Sequence, residues 1–107
     1  SLSVICQVGT PKTPFSRILV RATGLKGSYY ATVFSGGDSV QSEETPAKGN
    51  GLIQFKFDSV LKPNAAPLPE DFIKRKTVIG VLRNAETHVR IGAIRTQCRS
   101  KKPTPSS

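Results

Sequence analysis

The sequence contains no methionine and no tryptophan, and only one histidine and two cysteines among its 107 residues. These few residues cannot supply the four Cys and His ligands of a structural zinc site, which excludes the zinc-finger classes. The absence of tryptophan argues against an antibody-type domain, in which a core tryptophan packs on the inter-sheet disulfide. No apolar run approaches the ~20 residues that a membrane-spanning helix needs, so we expect no transmembrane segment.

The chain begins at Ser1 without a charged region followed by an apolar one, so we expect no signal peptide within it. Two origins fit this start: a secreted protein that has already been processed, or a domain cut from a longer protein. A length of 107 residues, 36% of them hydrophobic and 21% charged, suits one folded domain with a modest core.

Alternation of apolar and polar residues predicts short β-strands along most of the chain. Three segments show it clearly, and their predicted inward positions are Leu2, Val4, Cys6 and Val8; Ile18, Val20 and Ala22; and Ile53, Phe55 and Phe57. Aromatic and β-branched residues predict further strands over residues 28–34, 76–82 and 88–97, and a weak edge strand over 39–42. Turns are expected at residues 36–38 and 83–87.

Six or seven short antiparallel strands predict an all-β fold, most simply a two-sheet β-sandwich of immunoglobulin-like, fibronectin-like or C2-like type. A small β-barrel is the alternative. Residues 62–69 carry three prolines and cannot form a central strand, and residues 70–73 could form one helical turn. We expect residues 1–98 to form the single domain and residues 99–107 to form a basic tail rich in Pro and Ser.

Cys6 lies in the first predicted strand and Cys98 at the end of the last one. Since the terminal strands of a sandwich often lie close together, we expect a disulfide between them. Such a bond favours a secreted or extracellular protein. The alternative is a pair of separate buried thiols in an intracellular domain.

The net charge of +9 is concentrated near the C-terminus. Residues 74–107 contain nine Lys and Arg against one Glu, whereas residues 38–73 contain six Asp and Glu against three Lys. If the last hairpin gathers its cations on one face, and if that face adjoins Arg17 and Arg21 of the second strand, the resulting basic stripe would attract polyanions. The residues predicted to form this binding site are Lys74, Arg75, Lys76, Arg83, Arg90 and Arg95.

No pattern of residues predicts catalysis, a cofactor or a metal site. His88 is expected to be a surface histidine, and no nucleophile motif or phosphate-binding loop accompanies it. The adjacent acidic pairs Glu43-Glu44 and Glu70-Asp71 would point to opposite faces of an extended strand. Calcium binding by Asp38, Glu43, Glu44 and Asp58 would require these carboxylates to converge.

The sequence therefore predicts a small secreted module that binds and does not catalyse. Its partner is expected to be an acidic protein or an anionic glycan, and class alone suggests a virulence or defence role. One alternative is an intracellular scaffold domain that contacts acidic proteins or nucleic acid, although stacking aromatics typical of nucleic-acid modules are scarce. Another is a C2-like domain that binds lipid or calcium. Oligomeric state and strand order stay open.

Overall fold

The computed structural model describes residues 2–10, 12, 14–60, 63 and 65–100. Its secondary structure consists of β-strands joined by turns, and within the described residues no helix is long and apolar enough to cross a membrane. The strands are β1 Leu2–Val8, β2 Ser16–Ala22, β3 Ser28–Ser35, β4 Asp38–Gln41, β5 Thr45–Pro46, β6 Ile53–Asp58, β7 Ala66–Pro67, β8 Thr77–Asn84, β9 Arg90–Gln97 and β10 Arg99–Ser100.

The strands form two packed sheets, which confirms the predicted β-sandwich; the sheets do not close into a barrel. The first sheet has the order β10-β1-β2-β6-β7 and the second has the order β4-β3-β8-β9, with β5 also paired to β3. The long strands pair antiparallel, whereas the two-residue strands β7 and β10 pair parallel to β6 and β1.

The core lies between the sheets, and in β1, β2 and β6 it is formed by inward residues that alternation predicts. Val20 and Phe57 of the first sheet, and Val33 and Val78 of the second, have no exposed surface. Each side chain of this size contributes about 1.5–3 kcal/mol when it is fully buried. Leu2 and Val8, at the ends of β1, are only half-buried, and Ile5 points to solvent as expected.

One local prediction differs from the structure. Residues 70–73 do not form a helical turn; the Phe72 N–H donates to the Pro69 carbonyl and closes a single non-helical turn that buries the Phe72 ring. Ala66 and Pro67 of the proline-rich stretch pair with β6 at the edge of the first sheet, which agrees with the prediction that this stretch cannot form a central strand. Residues 61, 62 and 64 of this stretch lie outside the described residues.

Cys6 and Cys98 form the predicted disulfide, with 4.5 Å between their Cα atoms. Cys98 lies between β9 and β10, where the chain passes from the second sheet to the first. Arg99 and Ser100, the first residues of the predicted tail, then pair with Gln7 and Val8 of β1. Residues 101–107 of that tail lie outside the described residues.

We expect the double substitution Cys6→Ala and Cys98→Ala to lower the free energy of unfolding markedly. By the chain-entropy model, a bond that closes a loop of this size stabilises the fold by about 4–5 kcal/mol. Urea unfolding should show a lower midpoint for the variant, and that midpoint should not respond to reductant. A wild-type midpoint that also ignores reductant would contradict a stabilising disulfide.

Gly80 lies in the middle of β8 and faces β1 across the core. A Cβ atom at this position would stand 2.6 Å from Val4 Cγ2, so the two sheets approach closely because residue 80 has no side chain. We expect Gly80→Ala to destabilise the protein by about 1–3 kcal/mol, since a packed core accommodates added atoms poorly. The matched control is Gly49→Ala, where a Cβ would meet no heavy atom within 4 Å, and its urea midpoint should barely move.

Candidate binding face

The second sheet presents its outer surface to solvent, and we call this surface of β4, β3, β8 and β9 the outer face. Directly paired residues of antiparallel strands point to the same side of a sheet. One row across the outer face is Ser39, Phe34, Ile79 and Arg95. The next row is Gln41, Thr32, Val81 and Ala93, and a third is Tyr30, Arg83 and Arg90.

The middle of the outer face is apolar although it faces solvent. Phe34 of β3 is paired directly with Ile79 of β8, and the two residues are 37% and 38% exposed. Val81, in the next row, is only 6% exposed, because the surrounding side chains cover it. Water therefore meets an aromatic ring and an aliphatic side chain flanked by cations, a composition that is common at protein-binding surfaces.

A groove of about 850 Å³ opens at one end of the outer face, between the β3–β4 turn and the turn that precedes β8. Phe34, Ile73 and Ile79 supply its apolar lining. Three of the six predicted binding residues, Lys74, Arg75 and Arg95, also line it. The structure thus brings half of the predicted set together, and the apolar residues beside them were not part of the prediction.

The other three predicted residues lie elsewhere. Arg83 and Arg90 are paired across β8 and β9 at the opposite end of the outer face. Lys76 is exposed, and its carbonyl accepts a hydrogen bond from the Cys98 N–H at 2.7 Å. Lys76 therefore lies beside the disulfide and does not line the groove.

The turn before β8 carries two adjacent cations in an unusual conformation. Arg75 and Lys76 have φ angles of 53° and 55°, and the Thr77 N–H donates to the Lys74 carbonyl at 3.1 Å. Positive φ at both central residues defines a type I′ turn, in which Asn and Gly are the preferred residues. For a residue with a Cβ, this left-handed backbone conformation costs roughly 1–2 kcal/mol of conformational free energy.

Ser35, which sequence reasoning missed, holds this turn against the end of β3. Its buried hydroxyl donates to the Thr77 carbonyl at 2.8 Å and accepts the Lys74 N–H at 2.7 Å. The stem of Lys74 lies so close to Gly36 that a Cβ at Gly36 would overlap it. The turn is therefore fixed to the rim of the groove from two sides. A serine after an apolar run gives no signal of this role.

The cations that line the groove differ in whether their charged groups have partners within the protein. The Lys74 ammonium group donates to the Asp71 carbonyl and stands 3.6 Å from the Asp71 carboxylate. Within the described part of the chain, the guanidinium groups of Arg75 and Arg95 have no hydrogen-bond or ion-pair partner. Arg75 and Arg95 are thus the two cations at this groove whose charge is available to a ligand.

At the far end of the outer face, His88 closes the β8–β9 turn over Tyr30. The Tyr30 hydroxyl and His88 Nδ1 are 3.0 Å apart, and Arg83 Nη1 donates to the His88 carbonyl at 3.2 Å. The Asn84 side-chain oxygen accepts the N–H groups of Glu86 and Thr87, which fixes the rest of the turn. Arg83 therefore supports the turn, and His88 is exposed, as predicted.

The broader basic stripe considered from the sequence does not form. Arg17 and Arg21 lie on β2, in the first sheet, and not beside the β8–β9 hairpin. Arg17 Nε donates to the buried carboxylate of Asp58 at 2.9 Å, and its guanidinium group lies 4.9 Å from the Phe15 ring centre. The register of β2 and β6, which places Arg17 opposite Asp58, accounts for this pairing.

Asp58 was one of the carboxylates that calcium binding would have required, and it is engaged by Arg17 instead. Among residues 2–100, as far as they are described, no three His, Cys, Asp or Glu side chains lie close enough together to hold a metal ion.

Replacing the strained turn residues tests the geometry of the groove rim. We expect the double variant Arg75→Asn and Lys76→Gly to raise the free energy of unfolding by about 1–2 kcal/mol, because Asn-Gly adopts positive φ at little cost. The control is Arg75→Gln and Lys76→Gln, which removes the same charges but keeps the strained backbone. If urea unfolding shows equal changes for both variants, charge and not backbone strain sets the stability of the turn.

Comparison with protein-family models, with curated protein sequences and with solved structures finds no match to this chain.

Proposed function

We propose that this protein is a non-catalytic binding module that recognises an acidic protein partner through the groove end of its outer face. The observation that carries the proposal is the grouping of Arg75 and Arg95 around the exposed side chains of Phe34 and Ile79, with guanidinium groups that have no partner among the described residues. Arginine and aromatic residues dominate the energy of many protein interfaces.

The apolar lining favours a protein over a polyanion. A sulfated glycan or a nucleic acid backbone is held mainly by charge and has little to place against a phenyl ring and an isoleucine. Tyr29 and Tyr30, the adjacent aromatic pair that could have stacked on bases, are both buried. An acidic protein segment with apolar side chains satisfies both the arginines and the apolar lining.

The disulfide supports an extracellular setting for this module. A bond that joins the two ends of the domain persists in oxidising compartments and is rare in the cytosol. We therefore propose secretion, with an excised intracellular domain as the less favoured alternative.

We expect a short peptide of alternating glutamate and valine to bind, and reversal of the groove charges to weaken its binding. Arg75→Glu combined with Arg95→Glu should lower the affinity about tenfold or more at physiological salt, since it turns attraction into repulsion at the contact. Fluorescence anisotropy of the labelled peptide measures this. The same peptide with glutamine in place of glutamate should bind weakly.

The matched control is Lys48→Glu combined with Lys56→Glu, which makes the same change in net charge at exposed positions away from the groove. Equal losses in both double variants would show that binding follows net charge, and the groove would not be the site. A heparin fragment that binds more tightly than the peptide and depends on the same arginines would replace the acidic protein with a glycan.

A further inference from the structure

The strand β9 forms one edge of the second sheet and is unpartnered on its outer side. It runs for eight residues, Arg90–Gln97, next to β8, and within the described residues no strand pairs with its other side. From Ile91 to Gln97, exposed and half-buried side chains alternate. The ladder with β8 is regular from Gly92 to Gln97 and shifts its register between Gly92 and Arg90. An exposed edge strand can accept a further strand from another chain.

The register shows which backbone groups face outward. The Cys98 N–H donates to the Lys76 carbonyl, so the hydrogen-bonded pairs of this antiparallel ladder continue at Thr96, Ile94 and Gly92. The N–H and C=O groups of Ala93, Arg95 and Gln97 therefore point away from β8. Their side chains lie on the outer face and are exposed.

The charges around the β9 edge disfavour a second copy of this chain as the added strand and favour an acidic segment. Arg90, Arg95 and Arg99 lie on or just after β9, and no Asp or Glu follows Glu86 in the sequence. A second copy of the chain would bring an equally basic edge against this one, in a protein whose net charge is +9. An acidic strand would meet opposite charge at the same positions.

The side of β9 that faces β1 determines which other side chains a complementary segment needs. Ile94 of β9 and Leu2 of β1 are both half-buried, and a Cβ at Gly92 would stand 3.0 Å from Leu2 Cδ2. A strand added to β9 would turn every second side chain toward these apolar residues. The complementary segment therefore alternates acidic residues on the outer face with apolar residues on the inner face.

We propose that the acidic partner binds by adding an extended segment to β9 as an antiparallel strand of the second sheet. Antiparallel pairing matches the other long strands of the sheet and is the more stable arrangement per residue. The acidic side chains of the added strand lie beside Arg95. This inference rests on the proposed function and specifies how the partner is held.

The test uses the alternating glutamate–valine peptide in two N-methylated forms. In an antiparallel strand opposite Arg95, residues that share the outer face with Arg95 direct their N–H groups to β9, and these are the glutamates. N-methylation of the glutamates should weaken binding about fivefold for each hydrogen bond lost. N-methylation of the valines, whose N–H groups point away from β9, should leave the affinity within about twofold.

Amide hydrogen exchange of the intact protein gives a second readout that does not depend on any substitution. Binding of the unmodified peptide should slow exchange at Ala93, Arg95 and Gln97, and should leave Thr96 and Ile94, already bonded to β8, unchanged. On the protein side, Ala93→Pro should lower peptide affinity because it removes an outward N–H, whereas Ala93→Thr keeps that donor and should bind normally.

The outcomes separate this inference from the proposed function. If both N-methylated peptides bind alike while Arg75→Glu with Arg95→Glu still weakens binding, the partner lies on the outer face without joining the sheet, and the strand-addition proposal fails alone. If the unmodified peptide does not bind, both proposals fail. A concentration-dependent dimer in sedimentation that Ala93→Pro abolishes would make a second copy the occupant of the edge.

Discussion

The bond between Cys6 and Cys98 fixes the corner at which the chain leaves one sheet for the other, and the features of the candidate site depend on that corner. The Cys98 N–H is bonded to the carbonyl of Lys76, which belongs to the strained turn at the rim of the groove. Immediately after Cys98, Arg99 pairs with β1. Turn, edge strand and disulfide therefore form one connected unit, and β9 cannot shift its register without disturbing all of it.

The strands that could be predicted best are those with one face in the core. In β1, β2 and β6 a buried residue alternates with a more exposed one, so a period of two identifies both the strand and its inward side. In β8 the apolar run continues on both faces, because the outer face of the second sheet is itself partly covered. Alternation alone does not show that Val78 enters the core while Ile79 lies on the surface.

Of the candidate site, the sequence predicted only that the region is basic. The distribution of Lys and Arg along the chain located the basic region. Which residues lie next to each cation depends on strand register and turn geometry. Lys74 is engaged by Asp71, three residues away, only because the chain turns between them. Arg17 is engaged by Asp58, 41 residues away, because β2 and β6 pair in that register. Phe34 and Ile79 carry no charge, so nothing in the charge distribution indicated that they would lie next to Arg95.

The positive charge of β9 disfavours pairing between two copies of this protein and would favour pairing with an acidic strand. Like charges on β9 oppose the joining of two identical edges. This would account for a strand without proline or lysine whose outer edge pairs with no strand in the described part of the chain. The acidic residue Asp38 lies on β4, at the opposite edge of the same sheet, which would permit head-to-tail joining of copies if charge alone decided. However, β4 has only four residues, half the length of β9, and the net charge of +9 acts against every such contact. The same arginines that disfavour self-assembly therefore favour an acidic strand from another protein.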